Sequence, residues 1–404
     1  VSADGVKSLR ERVAEQPRSW PRAIGGSVWP VGVAIAIAFV LQVGLAPMLG
    51  PYWAGVLLNI GIAIVLAVSL NIVNGFAGQF SIGHAGFMLV GAYVSASITY
   101  YVSIKLWATA GTVGGFMGGG DMLFLVACIG GGVAAAIAGL AVGLPSLRLR
   151  GDYLAIVTLG FGEIVRVLVT LSDDVKYRDQ VCGIPIEQIE KTKECPVGWV
   201  DLISNFDNIG GSLGFSPAPP TYVSPTPWLG ATGHAGIFFA FVFATLLCIV
   251  AYRLKSSSKG RQLLAVRENE IAAEAMGIDT SRVKVVAFVL ASFFAGIGGA
   301  LYAHQFGVAL SPSDLGFQKS IDLVIIVVLG GMGSITGVVL AATILTILPE
   351  AFREFSEYRM IVYALALIVV MIVRPKGLMG IRELWDLQPW KKTVGRLFRQ
   401  KGTP

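Results

Sequence analysis

Long apolar runs separated by short polar stretches dominate the chain, beginning with Trp29 to Leu49 and Tyr52 to Val73. About 20 helical residues cross the roughly 30 Å hydrocarbon core of a bilayer. On that measure the pattern predicts about ten crossings, at 29–49, 52–73, 82–103, 122–144, 152–172, 234–254, 283–304, 320–333, 335–349 and 359–373. The two beside Gly330 to Gly337 are short enough to be half-helices. One polar, glycine-rich interruption stands out between the second and third runs: Asn71-Ile72-Val73-Asn74-Gly75-Phe76-Ala77-Gly78-Gln79-Phe80-Ser81-Ile82-Gly83-His84-Ala85-Gly86-Phe87. Irregular backbone at membrane depth survives only when it is buried in protein or lines a wet cavity. The stretch therefore marks either a tight helix seam or a translocation path. A second interruption, Gly330-Gly331-Met332-Gly333-Ser334-Ile335-Thr336-Gly337, lies in the C-terminal half. Paired interruptions point to a transporter's substrate region, while small residues that let helices approach closely account for the same glycines.

With 54% apolar and 14% charged residues, 50 glycines among 404 residues and a mean hydropathy of +0.71, the expected fold is an all-α polytopic transmembrane helical bundle. It would contain about ten helices, some of them broken or half-helices. The polar first 27 residues have no apolar core of their own, so no cleavable leader is expected. A net charge of +6 does not indicate nucleic acid, because 22 of the 31 basic residues fall in four clusters: the N-terminal tail, Arg148 with Arg150, Arg253 to Lys284, and Arg374 to Lys401. Counting crossings puts all four clusters on one side, which the positive-inside rule makes cytoplasmic. The layout expected is a cytoplasmic tail over 1–27, a permease domain over 28–375 and a cytoplasmic tail over 376–404. Both termini are expected inside; for a bacterial inner membrane that side is the cytoplasm. The segment 172–233 carries eight acids against four bases and should face outward. Ile186 to Lys193 can make a short helix there, and Pro217, Pro219, Pro220, Pro225 and Pro227 impose an extended run. Cys182 and Cys195 lie in this segment as either a disulfide or two free thiols, since spacing gives no Cα separation. Cys128 and Cys248 read as packing residues inside spans.

The cytoplasmic loop 255–282 contains a stretch of helix formers from Gln262 to Met276, closed by Gly277. Its Arg267, Glu268, Glu270 and Glu274 suit docking onto a soluble partner or a plain solvated face. At this point the chain resembles a known family. Glu268 to Gly277 resembles the ATPase-docking segment of binding-protein-dependent ABC importer permeases. LNIVNGFAGQFSIGHAGFMLVGAYVSA (70–96), GDYLAIVTLGFGEIVR (151–166), GALYAHQFGVALSP (299–312), LGGMGSITG (329–337) and the tail from Arg374 to Gly380 resemble the branched-chain amino acid permeases, of the longer subunit type. The likeness covers about residues 52–386. It implies ATPase coupling through Arg267, Glu270, Ala273, Glu274 and Gly277. The partners it implies are a homologous second permease, two ATPase subunits that carry ATP and magnesium, and an extracytoplasmic amino-acid-binding protein. Two departures fall in the outward segment. Ile209 to Phe215 lacks the family's usual threonine, and 173–205 resembles an insertion.

Polar residues inside the spans complete the candidate set. Glu163 and Arg166 share a face of the fifth span, either as an intrahelical ion pair or as pathway lining. Asp152 is placed to cap that helix. Gln79, Ser81 and His84, with Gly331 and Ser334 in the second interruption, are candidates for a gate. On the structural alternative, Ser81 caps the third span and His84, one turn inside it, makes an interhelical hydrogen bond. His304, Gln305 and Asp322 fall near outward ends as docking candidates. The chain holds no Gly-Lys dipeptide, hence no phosphate loop. Its three histidines are scattered, so no metal centre and no cofactor of its own are expected. The expected function is the non-catalytic permease subunit of an ABC importer for branched-chain or other neutral amino acids. A urea or short-chain amide importer, or a secondary transporter or channel, is the alternative.

Overall fold

The computed structural model describes residues 31–114, 118–146, 153–216, 219–220, 222, 236–305, 310–353, 364–365, 368, 372–374, 377–380 and 383. Its elements are helical throughout. A first apolar helix, α1, runs Val31–Leu45, and after a break at Gly50 (φ 74°) α2 runs Tyr52–Phe76. Then follow α3 His84–Trp107, α4 Gly119–Ser146 and α5 Tyr153–Thr170. Short helices α6 Arg178–Cys182, α7 Ile186–Thr192 and α8 Trp199–Ile203 fill the predicted outward segment. The chain continues as α9 Gly236–Ser256, α10 Ser258–Glu268, α11 Glu270–Ala275, α12 Thr280–Ala303, α13 Phe317–Gly330 and α14 Ile335–Ala351.

Six of these, α2, α3, α4, α5, α9 and α12, are long and apolar enough to cross a membrane. The remaining predicted crossings fare differently. α13 and α14 have 14 and 17 residues, about 21 and 26 Å at 1.5 Å per residue, short of a full hydrocarbon core. Their shortness is what the half-helix alternative expects. Most of 359–373, the N-terminal tail, Arg148, Arg150 and Asp152 lie outside the described residues.

α12 packs against α2, α3 and α4 at the centre of the bundle. Glycines make that possible. A Cβ at Gly131 would fall 2.6 Å from the Gly91 carbonyl, one at Gly296 would fall 2.7 Å from the Gly131 carbonyl, and one at Gly299 would overlap the Met88 carbonyl. In lipid, where apolar side chains gain nothing by leaving their surroundings, such backbone contact is a main source of helix association. α5 is peripheral: 22% of its span is buried, against 83% for α2 and 78% for α3.

Two expectations change. The loop helix expected over Gln262 to Met276 is two helices, because Asn269 leaves the helical region (φ −160°, ψ 110°) and accepts a hydrogen bond from the Ala272 amide at 3.0 Å. Asparagine at an N-cap position competes well with continuing the first helix. His304 is not a docking group. It is fully buried, with Nε2 2.7 Å from Thr99 Oγ1 and Nδ1 2.7 Å from the Ala300 carbonyl.

The segment expected to face outward is held by a disulfide and by hydrogen bonds from α3. Cys182 and Cys195 form a disulfide with Cα atoms 5.2 Å apart. Lys105 Nζ donates to the Cys195 carbonyl at 3.0 Å, and Tyr101 Oη to the Asn208 carbonyl at 2.7 Å.

Three outcomes follow. Gly299→Ala forces backbones apart and costs about 1–3 kcal/mol, lowering the thermal midpoint in detergent by several degrees. Gly160→Ala, whose Cβ would meet nothing within 4 Å, leaves the midpoint unchanged or raises it slightly. Trypsin cutting at exposed Lys191 or Lys193, which lie between the two cysteines, yields fragments that stay joined in non-reducing mass spectrometry and separate on reduction.

Candidate functional site

The two glycine interruptions read in the sequence meet in space. α2 closes in a π-helical turn, Ile72–Phe76, and Asn71 just before it reaches the turn between α13 and α14. Asn71 Oδ1 accepts from the Gly333 amide at 2.9 Å, and its Nδ2 donates to the Ser334 carbonyl at 3.3 Å. A Cβ at Gly75 would stand 2.5 Å from the Gly333 nitrogen. Gly331 and Gly333 have φ of 101° and 94°, a region that side chains with a Cβ rarely enter.

The N-terminus of α14 is capped twice. Ser334 Oγ accepts from the Gly337 amide at 3.0 Å, and the Glu383 carboxylate accepts from the Ile335 and Thr336 amides at 3.1 Å each and from Thr336 Oγ1 at 2.8 Å. Lys255, at the end of α9, donates to the Gly333 carbonyl at 2.7 Å and to Glu383 Oε1 at 2.6 Å. Burial alone would raise the Glu383 carboxyl. The Lys255 and Thr336 hydrogen bonds, with that from the Ile335 amide, outweigh it and hold the group below the usual carboxylate range.

α10 clamps this junction. Arg267 Nη1 donates to the Gly75 carbonyl at 2.7 Å. Its side chain fills the space beside Gly78 and Gly333, where added Cβ atoms would fall 2.6 Å from Arg267 Cγ and 2.8 Å from Nη1. The loop 255–282 therefore holds one break directly and reaches the other through the same guanidinium.

Of the gate candidates, Gly331 and Ser334 sit in the junction. Ser81 lies beside it. Its amide donates to Asn74 Oδ1 at 3.1 Å, and its hydroxyl lies 3.3 Å from Thr158 Oγ1 on α5. Ser81 does not cap α3, because the helix begins at His84 with Gly83 in the N-cap position; Ser320 of α13 accepts from the Ala85 amide instead, at 3.0 Å. His84 is the first residue of α3, not one turn inside it, and its Nε2 lies 2.8 Å from Ser69 Oγ of α2. Gln79 is half-buried, with Oε1 lacking a hydrogen-bond partner. Glu163 stands apart in an ion pair with Arg166 at 2.7 Å. In the loop, Glu270 pairs with Lys284 at 2.5 Å, Glu274 accepts from Thr280 Oγ1 at 2.9 Å, and Ala273 is buried. Gly277 ends the segment at φ 80°. These contacts turn α11's carboxylates toward α12 and leave Ile271 and Met276, 67% and 82% exposed, on the outer face.

Lys255, Glu383 and Thr158 are junction residues that the sequence reading missed. Asn71 and Asn74 carried a visible signal, two amides inside an apolar run. Glu383 carried none, lying 49 residues from its Ser334 partner.

Among known proteins, the sequence profile of the family described as "Branched-chain amino acid transport system / permease component" matches residues 52–372. The chain is 35% identical over 326 residues to the high-affinity branched-chain amino acid transport system permease protein LivM of Escherichia coli, covering 79% of this chain and 68% of LivM. It is 34% identical over 329 residues to LivM of Salmonella typhimurium, with the same coverage. To the LivH permease protein of Escherichia coli it is 31% identical over 156 residues, 38% of this chain and 49% of LivH. No solved structure matches. With four-fifths of its length aligned by the profile and an all-helical bundle of apolar spans, the chain belongs to the permease components of branched-chain amino acid transport systems.

Proposed function

We propose that this chain is one permease of an ATP-driven importer that moves branched-chain amino acids across the bacterial inner membrane by alternating access, with both termini cytoplasmic. A second, LivH-like permease would pair with it. Two separate ATPase subunits would bind ATP and magnesium, and an extracytoplasmic binding protein would deliver the cargo. The observation that carries the reading is the Arg267 contact: a residue of the predicted ATPase-facing loop is hydrogen-bonded at 2.7 Å to the break that ends α2.

The mechanism rests on stiffness and exclusivity. α11 is tied to the start of α12 by Glu270 with Lys284 and by Glu274 with Thr280, so a push on its outer face moves α10, α11 and α12 together. Arg267 passes that displacement to Gly75, and Asn71 passes it to Gly333 and Ser334. Tightly packed junctions of this kind have few alternative arrangements, so small shifts convert into switching. The short helices α13 and α14, joined at this point, are the elements free to tilt.

The test is reconstitution with the partner subunits and binding protein in proteoliposomes. ATP-dependent uptake of L-leucine is expected. Arg267→Ala should lower uptake about tenfold or more while ATP hydrolysis continues, because a lost charge-assisted hydrogen bond of about 1.5–3 kcal/mol breaks transmission and not assembly. Uptake without nucleotide, or equal uptake by the variant, would overturn the mechanism. Uptake of urea in place of leucine would reassign the cargo.

A further inference from the structure

Between α2, α12, α13 and α14 lies a cavity of about 510 Å³, within the range of small-molecule sites. Its lining divides by chemistry. Ile62, Leu66, Leu323, Ile326 and Leu345 present an aliphatic wall, while Asn59, Gln305, Lys319 and Asp322 present polar groups. Along the helices the polar group lies first. Leu66 is about 10 Å beyond Asn59 on α2, and Ile326 about 6 Å beyond Asp322 on α13. Both helices continue from there to the glycine junction at Asn71 and Gly330.

The polar groups have unused capacity. Gln305 is 6% exposed; its Nε2 donates to Asn59 Oδ1 at 2.9 Å, and its Oε1 is buried without a partner. A buried acceptor left unpaired is unfavourable, and a ligand donor would relieve it. Lys319 and Asp322 are three residues apart on one face of α13, yet no ion pair joins them. The Lys319 ammonium lies 5.9 Å from the Tyr302 ring centroid, and Asp322 accepts one long hydrogen bond from Gln318, at 3.5 Å. An anion acceptor and a cation acceptor thus stand side by side above an aliphatic wall.

We propose that this cavity is a transient binding site for a free zwitterionic amino acid with an aliphatic side chain. Lys319 receives the carboxylate, Asp322 and Gln305 Oε1 receive the ammonium, and the side chain lies against Leu66, Leu323 and Ile326. The inference rests on the transport reading and says where in this chain the cargo pauses before the junction opens. None of these four polar residues belongs to the gate set read from the glycine interruptions.

The test uses the importer assembled with its permease and ATPase partners in nanodiscs, without the binding protein. Radiolabelled L-leucine should bind saturably. 4-Methylpentanoate, which lacks the ammonium, and isoamylamine, which lacks the carboxylate, should compete weakly. Asp322→Asn should weaken L-leucine at least about tenfold, as expected for a charge-assisted contact, and leave 4-methylpentanoate within about twofold. Lys319→Gln should weaken L-leucine to a similar extent and leave isoamylamine within about twofold. Retention of one ligand with loss of another also shows that each variant is folded. If the wild type takes up leucine with ATP but shows no such binding, the proposed site is wrong and the transport reading stands. The same holds if both variants keep full affinity, or if each loses every ligand alike. If the wild type takes up no leucine, both fall.

Discussion

Backbone amides and carbonyls that leave a helix at membrane depth must find partners in protein, since lipid offers none. Here two such breaks answer each other. The side chain of Asn71 supplies an acceptor and a donor to Gly333 and Ser334, and the carbonyl of Gly75 takes the guanidinium of Arg267. Glu383 takes two of the free amides at the start of α14, where a carboxylate also complements the helix dipole. Glycine is required at this meeting point for closeness as much as for conformation, because a Cβ at Gly75 or Gly331 would collide with backbone.

The rest of the architecture follows from that closure. Small residues let α3, α4 and α12 pack backbone to backbone, producing a rigid centre. α13 and α14, too short to cross alone, hang from the junction at one end. The loop helices α10 and α11 are fastened to α12 through Lys284 and to α2 through Arg267. These ties are hydrogen bonds to charged groups, each worth about 1.5–3 kcal/mol.

The fold class was legible because span length and basic clusters are strong, local signals, and the two glycine interruptions were visible as departures from them. That the interruptions touch was not legible beyond their being paired. The capping alternative for Ser81 fails although a serine before an apolar run satisfies the capping pattern, because the hydroxyl that accepts from the Ala85 amide comes from Ser320, 235 residues beyond Ala85. The loop helix was read as continuous because Asn269 is a single residue among strong helix formers. Cys182 and Cys195 needed a Cα separation that no sequence supplies, and the structure provides it at 5.2 Å. The ion pair of Glu163 with Arg166 came out as the intrahelical alternative.

The central claim is that nucleotide events reach the membrane through the glycine junction. Hydrogen–deuterium exchange at the amides of Gly333, Ile335 and Thr336, followed in the assembled importer with and without ATP, tests it most directly. The account predicts that these amides, bonded to Asn71 and Glu383 in the closed junction, change their protection when nucleotide binds. Unchanged protection in an importer that still takes up leucine on ATP would contradict it.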